Sequence, residues 1–337
     1  MTRTDDQSPG PATPPAGTGI ITLSHLTKIF RNRTDVVAVD DVSTVVKAGE
    51  IFGLLGPNGA GKTTVIRMLT TLMRPTSGTA FVGEYEITRD PEAIRGIIGV
   101  CPQQGTLDPD LTARENLNFY GKLLDMSDAE RKERIPELLR MVGLSGRANT
   151  PAGTFSGGMK RKLEIVRAFI HHPRILFLDE PTIGLDPDSR RDIWTHIRTL
   201  NRKGTTVILT THYMDEAEHL CDRIAFMVDG KLVAVDTLEN LKQAMPGGDL
   251  IEIGTDGVAS AVADDLSRLE NVIRVQEADG KLRISAHNGS RTLPSIVSLL
   301  EHRGAVITSI TIRSPSLEDI FIHITGANLD ARGGGAA

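Results

Sequence analysis

Cysteine and aromatic residues are scarce in this sequence. Its 337 residues include two cysteines, one tryptophan and three tyrosines. Cys101 and Cys221 lie far apart and lack the close spacing of metal ligands, which argues against both a zinc site and a disulfide framework. Two reduced structural thiols, as is usual inside cells, are therefore the expected role.

Long apolar runs and an excess of basic residues are also missing. No segment approaches the roughly 18 to 20 apolar residues that span a bilayer. Residues 1–19 are rich in Pro, Gly, Thr and Asp; they lack the apolar core of a signal peptide and read as a disordered tail. The formal net charge of −5 does not favour nucleic-acid binding, for which a basic balance is typical. We therefore expect no nucleic-acid partner.

One glycine-rich stretch has the pattern of a phosphate-binding loop: glycine, four residues, glycine, lysine and a hydroxyl residue. Its glycines would let backbone N–H groups approach phosphate oxygens, where a Cβ would obstruct. Lys62 can then reach the β- and γ-phosphates, and the Thr63 hydroxyl can ligate Mg²⁺. The loop comprises Gly56, Pro57, Asn58, Gly59, Ala60, Gly61, Lys62, Thr63 and Thr64.

The flanks of the loop support this function. Residues 50–55 form an apolar run of strand length, and Val65, Met68, Leu69 and Leu72 recur at helical spacing, which predicts a helix that begins near Lys62. A helix N-terminus after a strand attracts phosphate through its dipole and free N–H groups. The alternative, a tight glycine turn without a ligand, is disfavoured because both flanks fit.

Two further buried-looking strands end in residues that suit phosphate chemistry. Asp179 and Glu180 follow the apolar run 175–178, at the end of a strand where α/β sheets bind ligands. Asp179 is suited to hold Mg²⁺ directly or through water, and Glu180 to act as general base. The alternative is that Asp179 and Glu180 are two acids in an ordinary polar loop after a strand. His212 follows the run 207–211 and could donate a hydrogen bond to a γ-phosphate.

A second helix start could also bind phosphate. Ser156, Gly157 and Gly158 open an amphipathic helix with bare N–H groups at its N-terminus. The basic run that follows, residues 160–162, is predicted to be a solvated helix face rather than a nucleic-acid site. Phe30 closes the first predicted strand and is a candidate to stack on adenine, although an ordinary core or surface aromatic is the alternative.

Other parts of the sequence predict the strands and helices around these motifs. Runs at residues 20–30, 36–39 and 42–46 suggest an antiparallel β layer in front of the loop. Residues 111–142 predict two helices, the first capped by Thr112 and the second by a capping box of Ser127 and Glu130.

Together these motifs resemble the ATP-binding subunit of an ABC transporter. The resemblance covers residues 20–245 and rests on six motifs in the family's order: 56–64, Gln103, 155–159, 175–181, 184–187 and 210–212. Phe155 and Met159 replace the outer residues of the commoner leucine-serine-glycine-glycine-glutamine signature. Such replacements are typical of the drug-exporter branch that resembles daunorubicin-resistance ATPases.

The resemblance implies an α/β fold, a P-loop ABC ATPase core with an antiparallel β layer and a helical subdomain at about 105–170. In this family two copies meet head to tail and enclose two ATP molecules. Ser156, Gly157 and Gly158 would then act on the partner's ATP, and Asp186 would lie at the interface. Gln103 would contact Mg²⁺ or the attacking water and sense the membrane partner. Phe30 matches the adenine-stacking position.

Residues 246–326 lie beyond the common core. Their predicted order, β-α-β-β-α-β with a hairpin turn at Asp279 and Gly280, suggests a small ferredoxin-like α+β domain. Residues 316–321 resemble the terminal motif of the same exporter branch, with a role in dimer support or regulation. Residues 327–337 are Gly/Ala-rich and are expected to be disordered.

The leading hypothesis is an ATPase subunit, peripheral on the cytoplasmic face of the cell membrane, that powers export through a polytopic membrane permease subunit. Drug-like, lipid and polysaccharide substrates all remain open. One alternative is a non-transport ABC ATPase in DNA repair or translation, although the usual second cassette or coiled-coil insertion is missing. A regulatory nucleotide-binding module without turnover is another, which Glu180 and His212 disfavour.

Overall fold

The computed structural model describes residues 19–31, 34–245, 248–256, 259–278 and 281–325. The chain divides into two compact units between Val235 and Asp236, whereas the sequence predicted a boundary after residue 245. The predicted turn at Asp279 and Gly280 lies outside the described residues, as do the two predicted tails apart from Gly19.

The first unit alternates strands and helices. Its strands are β1 (Ile21–Phe30), β2 (Val36–Val46), β3 (Ile51–Leu55), β4 (Ser77–Val82), β5 (Tyr85–Glu86), β6 (Ile98–Cys101), β7 (Ile175–Asp179), β8 (Thr206–Thr211), β9 (Arg223–Val228) and β10 (Lys231–Asp236). Its helices are α1 (Lys62–Leu69), α2 (Pro91–Ile97), α3 (Ala113–Leu123), α4 (Asp128–Met141), α5 (Gly157–Ala168), α6 (Pro187–Arg202) and α7 (Met214–Leu220).

Two sheets organise this unit. The first has the order β2-β1-β4-β5 and pairs antiparallel, which confirms the predicted antiparallel layer. The second has six strands in the order β10-β9-β3-β8-β7-β6, and its neighbours from β9 to β6 run parallel. Ligands bind at the carboxyl ends of such parallel strands, and β3, β7 and β8 lie side by side there.

The six-stranded sheet is buried on both faces, which explains its continuous apolar runs. Along β7, Leu176 and Leu178 face a core shared with the helices α3–α6. Ile175 and Phe177 face the other core, shared with α1 and the antiparallel sheet. The strand ends are therefore held rigidly from both sides.

The two predicted helices in 111–142 are confirmed as α3 and α4. Thr112 and Ser127 each cap their helix with a complete capping box, in which the cap hydroxyl accepts the N–H of the third helical residue and that residue's carboxylate accepts the N–H of the cap. These caps are local signals, so sequence alone could find them.

Three local predictions differ from the structure. The runs 36–39 and 42–46 belong to one strand, β2, whose pairing with β1 is irregular where Asp41 has a φ of 54°. Helices α2, α6 and α7 and strands β5, β9 and β10 were not predicted. Helix α1 ends at Leu69 because the chain turns at Thr71, which has a φ of 62°, and Leu72 is therefore exposed.

The second unit has the predicted order β-α-β-β-α-β after a first helix. Its strands pair antiparallel in the order β12-β13-β11-β14; the name ferredoxin-like stays a prediction. Alternate residues such as Ile251, Ile253, Leu282 and Ile284 form its own core. The elements are α8 (Leu238–Gln243), β11 (Asp249–Asp256), α9 (Ala259–Leu266), β12 (Val272–Ala278), β13 (Lys281–Ala286), α10 (Gly289–His302), β14 (Val306–Arg313) and α11 (Leu317–Thr325).

Candidate functional site

The glycine-rich loop joins β3 to α1 at the carboxyl edge of the sheet, as predicted. A Cβ at Gly56 would lie 2.1 Å from the carbonyl oxygen of Met227, and one at Gly61 would lie 2.2 Å from that of Ala38. Gly61 also has a φ of 103°, in the region that glycine adopts without steric cost. The tight packing therefore requires glycine at both positions.

Lys62 is buried and turned toward its own loop. Its ammonium donates to the carbonyl oxygens of Gly56 at 2.7 Å and Pro57 at 3.0 Å. It also lies 3.9 Å from Oε1 of Glu180. Burial lowers the pKa of Lys62, and the nearby carboxylates of Glu180 and Asp179 partly oppose that effect. A cation held by two neutral carbonyls can exchange them for phosphate oxygens, which bind it more strongly.

Asp179 ends β7 beside the start of α1. Its Oδ1 accepts a hydrogen bond from the Thr63 hydroxyl at 3.2 Å and one from the Thr210 hydroxyl at 2.5 Å. Thr210 was not singled out from the sequence. Strands β7 and β8 pair directly, and their register aligns Asp179 with Thr210. In the sequence, the available signal for Thr210 was its position at the end of the same apolar run that precedes His212.

Glu180 contacts two further predicted catalytic side chains. Gln103 Nε2 donates to its Oε2 at 3.1 Å, and His212 Nδ1 lies 3.3 Å from its Oε1. Burial alone would raise the pKa of Glu180, but the hydrogen bond and charge of His212, with Lys62 and Gln103, hold the pKa below its ordinary value. The carboxylate is thus ionised at neutral pH and able to accept a proton.

These groups surround an open cavity of about 330 Å³. It is lined by residues 58–64 of the loop together with Ala38, Gln103 and Glu180. A neighbouring cavity of about 320 Å³ shares Thr63 and Gln103 with it and extends past Asp179 to Leu72. The structure therefore brings the loop, Gln103, Asp179, Glu180 and His212 together.

Outside the glycine-rich loop itself, five predicted site residues belong neither to the two cavities nor to the hydrogen bonds around Glu180 and Asp179. Ser156 caps α5, its hydroxyl accepting the N–H of Met159 at 3.3 Å, and the neighbouring Gly157 is also exposed, whereas Gly158 is buried. Asp186 caps α6 in the same way and is exposed.

The fifth of these residues, Phe30, ends β1 and is 36% exposed. The Lys28 ammonium lies over the ring, 5.5 Å from its centroid, and the exposed fraction of Phe30 leaves part of the ring accessible.

The basic run 160–162 is not a solvated face, so that prediction was wrong at its centre. Arg161 is buried and donates to backbone carbonyls at the ends of β6 and β7. Lys162 pairs with Asp192 at 2.8 Å. A short run of charges does not reveal which of its members faces the core, because that depends on the elements packed against the helix.

Within the part of the chain that the structure describes, no helix combines the length and apolarity needed to cross a bilayer. The same residues contain no group of three or more His, Cys, Asp or Glu side chains arranged to hold a metal ion.

Comparison with known families gives two matches. Residues 39–183 match the family described as ABC transporter, and residues 237–325 match the C-terminal domain of ATP-binding proteins like DrrA1-3. The second match begins close to the division between the two units at Asp236.

Relatives match over nearly the whole chain. The linearmycin resistance ATP-binding protein LnrL of Bacillus subtilis is 40% identical over 312 residues, which cover 92% of this chain and 99% of the relative. The daunorubicin/doxorubicin resistance ATP-binding protein DrrA of Streptomyces peucetius is 38% identical, with coverage of 94% and 95%.

Solved structures match about two thirds of the chain. An ATP-binding subunit of an ABC transporter has a TM-score of 0.59 and 32% identity, covering 66% of this chain and 91% of its own. The dimeric ATP-binding cassette MJ0796 bound to ADP and Pi has a TM-score of 0.59 and 30% identity, and the match covers 65% of this chain and 98% of that chain. These matches give no support to the DNA-repair or translation alternative.

Proposed function

Because this chain belongs to the ATP-binding proteins of ABC transporters, we propose that it is the ATP-hydrolysing subunit of a drug exporter. The observation that carries the proposal is the buried carboxylate of Glu180, which lies beside the glycine-rich loop with Gln103 and His212 at hydrogen-bond distance. This arrangement suits hydrolysis of the phosphoanhydride bond to the γ-phosphate of a bound ATP.

The proposed chemistry follows from the charges around Glu180. The ionised carboxylate accepts a proton from the attacking water, and Gln103 and His212 fix its orientation. His212 is the candidate to donate a hydrogen bond to the γ-phosphate as charge develops there. Lys62 leaves the carbonyls of Gly56 and Pro57 and pairs with the phosphate oxygens, while the N–H groups of the loop cradle them.

Mg²⁺ fits the residues beside the loop. Asp179 and Thr63 already lie within hydrogen-bond distance of each other, and Gln103 adds an amide oxygen near the same cavity. Mg²⁺ characteristically takes one or two carboxylates together with phosphates and waters, so the small number of acids present is sufficient. When bound, the ion would neutralise negative charge on the phosphates.

The ATP-binding site would be completed by a second copy of the chain. Ser156, Gly157 and Asp186 are exposed and lie away from the loop cavity, so a partner is needed to bring a signature helix onto the phosphates. Head-to-tail pairing supplies that helix and places Asp186 at the interface. Gly158 lets the start of α5 pack on its own chain, because a Cβ there would lie 2.7 Å from the Ser189 hydroxyl. Phe30 would stack on the adenine through the accessible part of its ring.

A polytopic membrane permease subunit is the second proposed partner. The three most exposed large apolar side chains among the described residues of the first unit are Leu72 at 70%, Leu123 at 63% and Phe119 at 57%. Phe119 and Leu123 are four residues apart on α3 and share one helix face. Leu72 lines the cavity that contains Gln103. Exposed apolar side chains, one of them beside Gln103, suit a docking surface for the permease.

Drug-like compounds are the proposed substrates, because two relatives of full length carry linearmycin and daunorubicin resistance in their names. Lipid and polysaccharide export remain the alternatives. A peripheral position on the cytoplasmic face of the cell membrane follows from permease docking and the supply of ATP.

Co-purification from membranes tests the proposed partner. We expect the tagged chain to carry a polytopic membrane protein with it, and the pair to hydrolyse ATP faster when the exported compound is added. The double variant Phe119→Glu, Leu123→Glu should lose the partner but keep the basal ATPase rate. Val306→Glu, at an equally exposed apolar residue of the second unit, is the control. Retention of the membrane protein by the double variant would refute the docking surface.

A further inference from the structure

Arg161 joins three parts of the proposed catalytic site. Its guanidinium donates to the backbone carbonyls of Asp179 at 2.9 Å, Glu180 at 3.1 Å and Pro181 at 2.8 Å. It also donates at 2.7 Å to the carbonyl of Pro102, the residue before Gln103. One side chain thus holds the segments that carry both the base and the glutamine.

The charge of Arg161 is buried but compensated. Its side chain is 8% exposed, and Glu164, one turn later on α5, lies 3.0 Å away and is equally buried. Only a guanidinium offers five N–H groups in a fixed plane, whereas a lysine offers three donors on one atom. The four carbonyls therefore require arginine in particular, not merely a positive charge.

Glu180 is the residue that most needs such support. Its φ is 48°, in the left-handed region that non-glycine residues rarely adopt and that persists only when the surroundings enforce it. Its N–H donates to the Thr210 carbonyl at 3.1 Å, and Arg161 fixes the carbonyls before, at and after it. The backbone conformation directs the carboxylate to Gln103 and His212.

We propose that Arg161 is a positioning residue that holds Glu180 in its left-handed conformation and so aims the general base. This inference rests on the proposed function of Glu180 in hydrolysis. Because Arg161 lies on the helix that Ser156 opens, it also ties the base of one site to the signature helix that would contact the other site.

The chain contains a matched control for a purely structural role. Arg134 on α4 is also buried, donates to the backbone carbonyls of Phe169 and Ile170, and pairs with Glu137 one turn later. It does not contact the residues of the candidate site. Replacing each arginine by lysine therefore removes guanidinium bonds to backbone carbonyls, four at the site for Arg161 and two away from it for Arg134.

The test compares R161K with R134K in three measurements: kcat, the dissociation constant for ATP, and amide hydrogen exchange in residues 175–183. We expect R161K to lower kcat roughly 10- to 100-fold, part of the contribution typical of general-base catalysis, with ATP affinity within about twofold of wild type. Exchange in 175–183 should accelerate in R161K only. R134K should affect neither kcat nor this exchange.

A double variant separates positioning from damage to the signature helix. In the Glu180→Gln background, R161K should leave ATP-dependent dimer formation intact and cause no further loss of the residual rate, because the base is already missing. Additive loss of rate, or loss of the dimer, would overturn the proposal, as would unchanged kcat or unchanged exchange in R161K. A wild-type chain that hydrolyses no ATP would instead refute the proposed function, whereas the exchange measurement would still decide the role of Arg161.

Discussion

Glu180 illustrates how burial and neighbours set the state of one residue. Desolvation favours its neutral form, yet His212, Lys62 and Gln103 outweigh desolvation and lower its pKa below the ordinary value of 4.5. The carboxylate is therefore available as a base throughout the neutral range. Protonation would follow only as the pH falls below that ordinary value, so we expect no loss of kcat from Glu180 between pH 6 and 8.

Gly61 offers a stringent test at the same scale. A Cβ there would meet the Ala38 carbonyl oxygen at 2.2 Å, and the φ of 103° is strained for any other residue. We expect Gly61→Ala to displace the loop and weaken ATP binding by at least about tenfold, or about 1.4 kcal/mol. Titration with a fluorescent ATP analogue measures this.

The control for Gly61→Ala is Gly146→Ala. A Cβ at Gly146 has open space around it, and Gly146 does not line the loop cavity. This substitution should leave the affinity for ATP unchanged. Equal affinities for the wild-type chain and Gly61→Ala would contradict the assignment of the loop as the phosphate site.

Helix α4 shows how elements are fastened to one another. Glu137 accepts from Lys203 at 2.8 Å, at the end of α6, and from Arg134 at 2.6 Å. The hydrogen bond from Lys203, followed by that from Arg134, lowers the pKa of Glu137 from 4.5 to about 2 against the effect of burial. The ion pairs therefore stabilise the ionised form and link the two helices.

Glu137→Gln should expose that contribution through its pH dependence. Because the folded pKa is depressed, the stabilisation is fully present above the unfolded value of 4.5 and is lost as the pH falls toward about 2. Glu137 is 42% exposed, so we expect at most about 1 kcal/mol at pH 7. Urea unfolding at pH 7, 5, 4 and 3 should show that the difference in free energy of unfolding between wild type and Glu137→Gln shrinks as the pH falls. Glu133→Gln, at an exposed position on the same helix, should show no such difference, and a difference for Glu137→Gln that persists at pH 3 would argue against the linkage.

At the level of elements, the sequence predicted the helices and strands that have local signals. The cap at Thr112 and the capping box of Ser127 and Glu130 predicted two helices correctly, and the glycine loop with its flanks predicted β3 and α1. Helix α2 was missed although Asp90 and Pro91 form a local helix-start signal. The irregular turn of β2 at Asp41 was missed because it depends on the pairing of β2 with β1. The motifs placed the site residues at strand ends, but the burial of Arg161 depends on contacts with two other segments.

At the scale of the whole molecule, the site is divided between exposed and enclosed parts. The loop, Gln103, Asp179, Glu180 and His212 converge in one chain, whereas Ser156 and Asp186 cap exposed helix starts elsewhere. In the proposed head-to-tail pairing, a single chain would present half of each of two sites. ATP would join two copies by lying between the loop of one and the signature helix of the other.

Molecular mass in solution tests this claim most directly. Glu180→Gln should bind ATP but hydrolyse it at least about a hundredfold more slowly, as expected for loss of a general base. The ATP-bound state then accumulates. Light scattering during size-exclusion chromatography should show a dimer with ATP and Mg²⁺ and a monomer with ADP, whereas adding Ser156→Arg should prevent the dimer. A Glu180→Gln chain that remains monomeric at saturating ATP, or that hydrolyses ATP at the wild-type rate, would contradict the account.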